Sequence, residues 1–206
     1  MTSGWVVLLN GAPRAGKSSI VSALQSSGEE HWMNLGVDVV VKHMTPDQLK
    51  PGIGSRPGGE RPDLEDFVFR SYTALYKSIA AHAALGMNVV ADLGHHNSYA
   101  TFDGRWGRYL KELQDLRILI VGVFCPLDEI MRRRAESEGD YLTATAQGDI
   151  PLPVQRWQEE VHKPGIYDLE LDTSTHSPEQ CAAEILRTIA SGNRLEARDK
   201  LIALPD

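Results

Sequence analysis

A loop near the N-terminus has the residue types and the spacing of a phosphate-binding site. Gly11, Gly16, Lys17 and Ser18 match the pattern G-x-x-x-x-G-K-[ST] without a gap, within the stretch GAPRAGKSS at 11–19. In this pattern the glycines let backbone N–H groups point at phosphate oxygens, the lysine reaches the β- and γ-phosphates, and the hydroxyl ligates Mg²⁺. We therefore predict a site for ATP (or GTP) and Mg²⁺ at Gly11, Ala12, Pro13, Arg14, Ala15, Gly16, Lys17, Ser18 and Ser19.

Two aspartates follow apolar runs and are candidates for the remaining chemistry. Asp92 comes directly after the run 87–91, so we place it at the carboxyl end of a buried strand, where such sheets bind ligands. There it can hold Mg²⁺ through bound water or orient an acceptor hydroxyl, with a helix cap as the alternative. Asp38 ends the weaker run 35–37, where a carboxylate can orient an attacking hydroxyl and take its proton. Spacing alone leaves Asp38 equally open to a role as a helix cap.

A cluster of arginines offers positive charge for a transferring phosphate. Arg132, Arg133 and Arg134 follow the apolar run 118–124, in a segment that we predict to be helical. Three adjacent arginines are more often a solvated face. In kinases of this build, however, the same helix leads into a lid that brings a cation over the phosphate, and we predict that lid at about 132–153.

Histidines and aromatic residues are the next candidates for a substrate site. His95 and His96 lie just past Asp92, with no carboxylate or cysteine at ligand spacing nearby. We therefore predict that they line a substrate cleft and do not bind zinc. Four aromatic side chains either pack in the core or line an acceptor pocket: Tyr72, Tyr76, Trp106 and Trp157.

Strand and helix patterns alternate along the chain, which predicts an α/β fold with a parallel sheet covered on both faces. The expected strands are 5–9, 35–37, 87–91, 118–124 and 167–171. The expected helices begin near Lys17, span 64–85, 99–113 and 126–137, and begin again at Pro178 behind a Ser177 cap. The length of 206 residues predicts one domain over 1–206, with a loop rich in proline and glycine at about 45–63.

The composition is that of an ordinary globular protein, with 42% hydrophobic and 24% charged residues. A formal net charge of −7 argues against a general attraction to nucleic acid or to an anionic membrane surface. The two cysteines, Cys125 and Cys181, show no metal-ligand spacing and fit a reducing compartment. There is neither an apolar run near the ~20 residues of a spanning helix nor a signal-peptide pattern, so we expect a cytoplasmic protein. No pattern specifies an oligomeric state.

Taken together, these motifs resemble the chloramphenicol phosphotransferase-like family of P-loop kinases, over nearly the whole chain. The resemblance rests on GAPRAGKSS at 11–19, LGVD at 35–38, the strand ending at Asp92, VGVFCPLDEI at 121–130 and VHKPGIYDLELDTS at 161–174. It implies a three-layer P-loop kinase fold, with a five-stranded parallel sheet in the order 2-3-1-4-5. It also implies an antibiotic O-phosphotransferase that acts on a hydroxyl of a small molecule.

The resemblance assigns roles residue by residue. The family's proposed general base falls on Asp38, its strand-3 aspartate on Asp92, and a lid arginine on Arg134. The family loop near the adenine falls on Asp172 and Thr173. We accordingly predict Asp38, Lys17 and Arg134 as catalytic residues, and Arg133, Asp172 and Thr173 as further nucleotide contacts.

The chain also departs from the family pattern. The lid reads Glu-Gly-Asp-Tyr at 138–141 where family lids often read Arg-Gly-Asp-Arg, and Leu93 stands where a second strand-3 acid is usual. The 45–63 loop falls on the acceptor side, so a nucleoside-type or other hydroxyl-bearing antibiotic fits as well as chloramphenicol. Two alternatives stay open: a metabolite kinase of the gluconate or shikimate type, and a nucleotide-gated regulatory or toxin-like protein.

Overall fold

The computed structural model describes residues 2–28, 30–50, 57, 61–137, 144 and 148–205. Its five strands form one parallel sheet in the order β2-β3-β1-β4-β5. This order confirms the predicted fold class. The strands are β1 (Trp5–Asn10), β2 (Trp32–Asn34), β3 (Asn88–Leu93), β4 (Arg117–Phe124) and β5 (Leu169–Asp172).

Helices connect these strands and cover both faces of the sheet. The principal ones are α1 (Lys17–Ser26), α2 (Val37–Val39), α3 (Pro62–Ala84), α4 (Trp106–Leu110), α5 (Leu127–Ala135), α6 (Leu152–Glu160), α7 (Pro178–Ala190) and α8 (Ala197–Ile202). Helix α2 continues as a wider π turn over Val40–Met44, and α4 continues as a 3-10 turn over Lys111–Leu113. Within the described ranges, no helix has the length and apolar character needed to span a membrane.

Strand β1 shows how the sheet is buried. Its side chains alternate between the two faces: Val7 and Leu9 pack in the cluster with α1 and α7, and Val6 and Leu8 in the cluster with α3, α4 and α8. All four side chains are fully buried. A continuous apolar run of this kind is what a central parallel strand requires, because helices cover both of its faces.

The second strand differs from the sequence prediction. It spans Trp32–Asn34 rather than 35–37, and Asp38 lies in the first turn of α2 instead of at a strand end. The chain turns here because the Asn34 side chain accepts a hydrogen bond from the Gly36 N–H at 3.1 Å. Gly36 is the N-cap of α2 and no side chain caps this helix, so Asp38 is not the helix cap that the alternative expected. As an acidic residue in the first turn, Asp38 is nevertheless favoured by the helix dipole.

Two other segments also differ from expectation. Helix α4 begins at Trp106 and not at residue 99, because contacts from other elements hold residues 97–105 in a loop. Part of the predicted lid, 138–143 and 145–147, and most of the proline- and glycine-rich loop, 51–56 and 58–60, lie outside the described residues.

Candidate active site

The phosphate loop joins the carboxyl end of β1 to the N-terminus of α1, the arrangement that the motif predicts. Arg14 and Gly16 both have positive φ angles, of 72° and 94°, which curl the loop. Such a backbone conformation is uncommon for arginine and is characteristic of functional turns. The side chains of Ala12 and Ala15 are buried beneath the loop, so these two residues offer only backbone groups to a ligand.

Lys17 extends across the mouth of this loop. Its Nζ donates hydrogen bonds to the carbonyl oxygens of Gly11, at 2.8 Å, and Ala12, at 2.9 Å. Burial lowers the pKa of Lys17 to about 8, against the opposing attraction of Asp92 and Asp38. The ammonium group is therefore desolvated and ready to exchange carbonyl partners for phosphate oxygens.

Ser18 and Asp92 form the candidate metal site. The Ser18 hydroxyl donates a hydrogen bond to Asp92 Oδ2 at 2.9 Å, and Asp92 is only 6% exposed. The other oxygen, Oδ1, is buried and has no hydrogen-bond partner among the described residues. Burial raises the pKa of Asp92, although Lys17 and Ser18 act against this effect. A hydroxyl and a carboxylate with an unsatisfied oxygen are hard oxygen donors, and they fit Mg²⁺.

Asp38 reaches the same cavity from α2. It lines the cavity together with Lys17 and Asp92, and its charge acts on both of them. Its carboxylate accepts a hydrogen bond from Lys42 Nζ at 2.7 Å, in a half-exposed ion pair. The structure thus brings together the three charged residues that the sequence identified separately.

The three adjacent arginines have different surroundings. Arg134 is buried and lines the cavity, whereas Arg132 is exposed and forms ion pairs with Glu129 and Glu136. Arg133 also lines the cavity. Its guanidinium donates to the Thr173 hydroxyl at 3.0 Å and to the Thr173 carbonyl at 2.8 Å. The expectation of a uniformly solvated face therefore fits Arg132 alone.

Thr173 braces the phosphate loop from the end of β5. Its hydroxyl donates to the Ala15 carbonyl at 2.7 Å, and its backbone N–H donates to the Phe124 carbonyl at 3.0 Å. Asp172 behaves differently from the prediction and does not line the cavity. Its carboxylate accepts hydrogen bonds from the Ser174 hydroxyl and N–H, which lower its pKa, so it caps the following turn.

The cavity has a volume of about 790 Å³ and extends from the phosphate loop to a second, largely apolar end. We call this end the acceptor side. Its walls come from α2 and its π turn, α3, the loop after β3, and α6, and include Val37, Val41, Phe67, Tyr72, Tyr99 and Trp157.

The sequence had offered Tyr72 and Trp157 as possible lining residues but missed Phe67 and Tyr99. The signal for Phe67 was its place in the apolar periodicity of α3. That periodicity is shared with core residues such as Ile79, which does not line the cavity, so only the fold separates the two roles.

His95 and His96 do not line the cavity, which corrects the prediction for both. Each is at most 3% exposed. The His95 ring lies 4.5 Å from the Tyr72 ring, and the His96 ring lies 4.3 Å from the Tyr99 ring. The histidines therefore form a layer behind the aromatic residues that face the cavity.

The buried position of His95 fixes its hydrogen bonding. Trp106 Nε1 donates to the Tyr76 hydroxyl at 2.5 Å, and that hydroxyl lies 2.9 Å from His95 Nε2. The Tyr76 proton is then available to His95 Nε2, which accepts it. Burial lowers the pKa of His95 to about 3, so the ring is neutral. Tyr76 and Trp106 pack in the core, which is one of the two roles that the sequence left open for them.

Comparison with known proteins agrees with this geometry. The family described as chloramphenicol phosphotransferase-like protein matches residues 4–190. The chain belongs to this family. Its membership confirms the resemblance that the motifs indicated, and with it the expected enzyme class, a phosphotransferase.

Individual relatives agree with the family and the fold. A Mycobacterium tuberculosis protein, named "Putative O-phosphotransferase" in two strains, is 29% identical over 203 residues, which cover 90% of this chain and 82% of the relative. A sugar kinase from Janibacter has a TM-score of 0.61 at 15% identity, with 92% of this chain and 96% of that chain covered. Shikimate kinase from Acinetobacter baumannii has a TM-score of 0.61 at 14% identity, with 93% and 96% covered. At these identities the two structures show the P-loop kinase fold alone.

Proposed function

We propose that this protein transfers the γ-phosphate of ATP, or of GTP, to a hydroxyl of an uncharged, partly apolar small molecule. An antibiotic of the chloramphenicol or nucleoside type has this chemistry. The observation that carries the proposal is the character of the acceptor side, which is apolar and aromatic while the opposite end of the cavity is cationic.

The distribution of charge along the cavity supports an uncharged acceptor. Among the described residues, the cations that line the cavity are Arg14, Lys17, Lys42, Arg133 and Arg134. Lys42 belongs to the acceptor side, where it forms an ion pair with Asp38, and the other four belong to the phosphate loop and α5. A sugar acid needs a cation for its own carboxylate, because a buried unpaired charge is costly. This requirement disfavours the gluconate- or shikimate-type alternative.

In the proposed reaction, Asp38 orients the acceptor hydroxyl and takes its proton. The hydroxyl oxygen forms a bond to the γ-phosphorus as the bond from that phosphorus to the β–γ bridging oxygen breaks, and the nucleoside diphosphate leaves. Lys17 and Arg134 neutralise the charge that accumulates on the phosphate oxygens. The phosphate loop holds the remaining phosphates in line with the acceptor.

Ser18 and Asp92 are the residues that would hold Mg²⁺. Bound there, the metal would neutralise part of the triphosphate charge. We expect transfer to stop on removal of divalent cations with EDTA and to return on addition of Mg²⁺. Asp92→Asn should raise the Mg²⁺ concentration that gives half-maximal activity, because the site loses its carboxylate. An unchanged Mg²⁺ requirement in Asp92→Asn would assign the metal to other residues.

The proposal is tested by the mass of candidate acceptors after incubation with protein and Mg²⁺-ATP. The panel pairs neutral hydroxyl-bearing antibiotics with gluconate and shikimate as acidic controls. A gain of about 80 Da on a neutral compound, the mass of one transferred phosphoryl group, is the expected result. Mass gain on the sugar acids alone would establish the metabolite-kinase alternative. ATP binding without mass gain on any compound would favour the nucleotide-gated alternative.

Transfer to an antibiotic would also have a consequence in cells. Phosphorylation blocks the hydroxyl and adds about two negative charges to the antibiotic. The modified antibiotic should then no longer bind a cellular target that accepts the uncharged compound. Expression of the wild-type protein in a susceptible strain should therefore raise the inhibitory concentration of that antibiotic, and expression of the Asp38→Asn protein should not.

A further inference from the structure

Residues 97–105, the larger part of the connection between β3 and α4, supply one wall of the acceptor side. Tyr99 of this loop lines the cavity, and its ring stacks on Phe102 at 4.2 Å and on His96 at 4.3 Å. The 97–105 loop contains neither helix nor strand, so its shape depends on side-chain contacts with other elements.

A single buried carboxylate makes the main polar contact with this loop. Glu65, in the first turn of α3, is 1% exposed. It accepts hydrogen bonds from the Ala100 N–H, 3.0 Å from each carboxylate oxygen, and from the N–H and hydroxyl of Thr101, each at 2.7 Å. Burial would raise the pKa of Glu65, but these donors outweigh it and the pKa is lowered. Charge-assisted hydrogen bonds of this kind are about twice as strong as neutral ones.

The helix that carries Glu65 also forms the adjoining wall of the acceptor side. Val68 and Tyr72, three and seven positions along α3, line the cavity. This spacing puts both on the same side of the helix as Glu65. The carboxylate therefore links the wall formed by α3 to the wall that carries Tyr99. The phosphate loop lies on a different connection, between β1 and α1, and makes none of these contacts.

We propose that Glu65 is a positioning residue for the acceptor, an inference that rests on the proposed function. By fixing the 97–105 loop against α3, it gives the acceptor side one shape, with Tyr99 held in contact distance of the bound molecule. Its loss should weaken acceptor binding and leave the nucleotide end of the cavity unchanged.

The contact itself can be tested without any acceptor. Hydrogen–deuterium exchange of peptides from the 97–105 loop is compared between wild type, Glu65→Gln and Asp66→Asn. Asp66 is a matched control because it is the neighbouring acid on α3, with a side chain 75% exposed and paired with Arg70. Faster exchange of this loop in Glu65→Gln alone is expected. Equal exchange in all three proteins, or faster exchange throughout Glu65→Gln, would overturn the inference.

Kinetics with an acceptor found in the mass assay test the functional part. In Glu65→Gln the acceptor KM should rise about 10-fold, as expected for loss of a charge-assisted contact, while the ATP KM and kcat stay within about 2-fold. Thr101→Val, which keeps both backbone donors and loses one hydroxyl, should give a smaller rise in acceptor KM. Equal increases in the KM values of acceptor and ATP would indicate general destabilisation and overturn the positioning role.

The two tests separate this inference from the proposed function. If wild type transfers phosphate to no acceptor, the proposed function fails, and the exchange experiment still decides whether Glu65 holds the loop. If wild type transfers phosphate and Glu65→Gln has an unchanged acceptor KM, the proposed function stands and the inference fails.

Discussion

Lys17 and Asp92 are oppositely charged residues whose ionisation is disfavoured by the same burial. Desolvation lowers the pKa of Lys17 to about 8 and raises the pKa of Asp92. Each group attracts the other, which partly offsets the cost of burying both. A triphosphate beside Lys17 and a cation beside Asp92 would each favour the charged form of its neighbour. The charged forms of both residues would therefore be stabilised by ligands of opposite sign, an anion at Lys17 and a cation at Asp92.

The pKa of Lys17 predicts how nucleotide affinity depends on pH. As pH rises through about 8, the ligand-free ammonium loses its proton. Affinity for ATP should therefore be steady below this pH and weaken above it, by at most about tenfold per pH unit. Binding of a fluorescent ATP analogue between pH 7 and 9.5 measures this directly. Lys17→Arg is the control, since its guanidinium stays charged, and the same pH dependence in that variant would exclude Lys17 as the cause.

The lowered pKa of Lys17 also makes the stability of the folded protein depend on pH. The pKa of Lys17 in the folded protein lies below its ordinary value of 10.5, so the unfolded chain binds the proton more tightly. Folding is then penalised below about pH 8, and this penalty is relieved as pH rises from 8 towards 10.5.

The roles of single residues could be predicted from the sequence where those roles depend on residues close by in the chain. The phosphate loop is contiguous, so its pattern specifies the backbone shape and the placement of Lys17 and Ser18. The side chains of His95, His96 and Asp172 were predicted less well. Their directions depend on packing against Tyr72 and Tyr99, or on a local cap at Ser174, which residue type and spacing do not specify.

At the scale of elements, the turn between β2 and α2 must pass close to β3. A Cβ atom added to Gly36 would lie 1.5 Å from Asp92 Oδ1 and 3.0 Å from the Asp92 backbone nitrogen. Only glycine lets the turn pass this close to β3. The close contact fixes the position of Asp92 on β3 and of Asp38, which lies two residues after Gly36.

Gly36→Ala should destabilise the protein and disturb the site, because either Asp92 or the turn has to move. We expect a loss of about 1–3 kcal/mol in the free energy of unfolding, the usual range for overpacking. Denaturant unfolding measures this loss. Gly94→Ala is the matched control, because its Cβ would lie 3.5 Å from the Trp157 side chain, an ordinary contact. Equal effects of the two substitutions would show that the approach at Gly36 carries no special constraint.

Helix ends show which local features a sequence can predict. The Ser177 cap of α7 was predicted correctly, and a capping box with Gln180 confirms it, since both partners lie within one turn. The start of α4 was predicted seven residues too early, at 99 instead of 106. Donors in the intervening loop bind Glu65, which lies 35 positions away from Ala100, and no local pattern reports such a contact.

At the scale of the whole molecule, Asp168 connects the edge of the sheet to the last helix. One carboxylate oxygen accepts a hydrogen bond from the Ile120 N–H at 3.0 Å, and the other accepts from the N–H groups of Glu196, at 2.8 Å, and Ala197, at 2.9 Å. Asp168 lies in segment 161–174, one of the segments that resemble the family. The resemblance in this segment therefore includes a residue that stabilises the fold as well as residues of the site.

Asp168→Ala should lower stability without changing the affinity for ATP. Three backbone donors would lose their acceptor, which we expect to cost about 3 kcal/mol in the free energy of unfolding. Asp115→Ala, an exposed acid just before β4, is the control and should be near neutral. Thermal unfolding and nucleotide titration of both variants measure the two quantities. A weakened ATP affinity at unchanged stability would place Asp168 in the nucleotide site instead.

The arrangement of the whole sheet was predictable only in part from the residues. Alternating strand and helix patterns indicated a parallel sheet, and the structure confirms it. The strand order 2-3-1-4-5 came from the family resemblance, because apolar periodicity does not say which strands are neighbours. The second strand was misplaced because β2 is a short edge strand of only three residues, Trp32–Asn34, and carries little apolar signal.

The role of Asp38 in activating the acceptor hydroxyl is tested by the rate of phosphate transfer in the Asp38→Asn variant. On an acceptor that wild type phosphorylates, this variant should lower kcat by at least about 100-fold, the scale of a lost general base, while ATP affinity stays within about 2-fold. Asp47→Asn is the matched control, since its side chain is 89% exposed and forms a surface ion pair with Lys50. It should retain full activity. Transfer by Asp38→Asn at close to the wild-type rate would contradict the central claim, that Asp38 activates the acceptor hydroxyl.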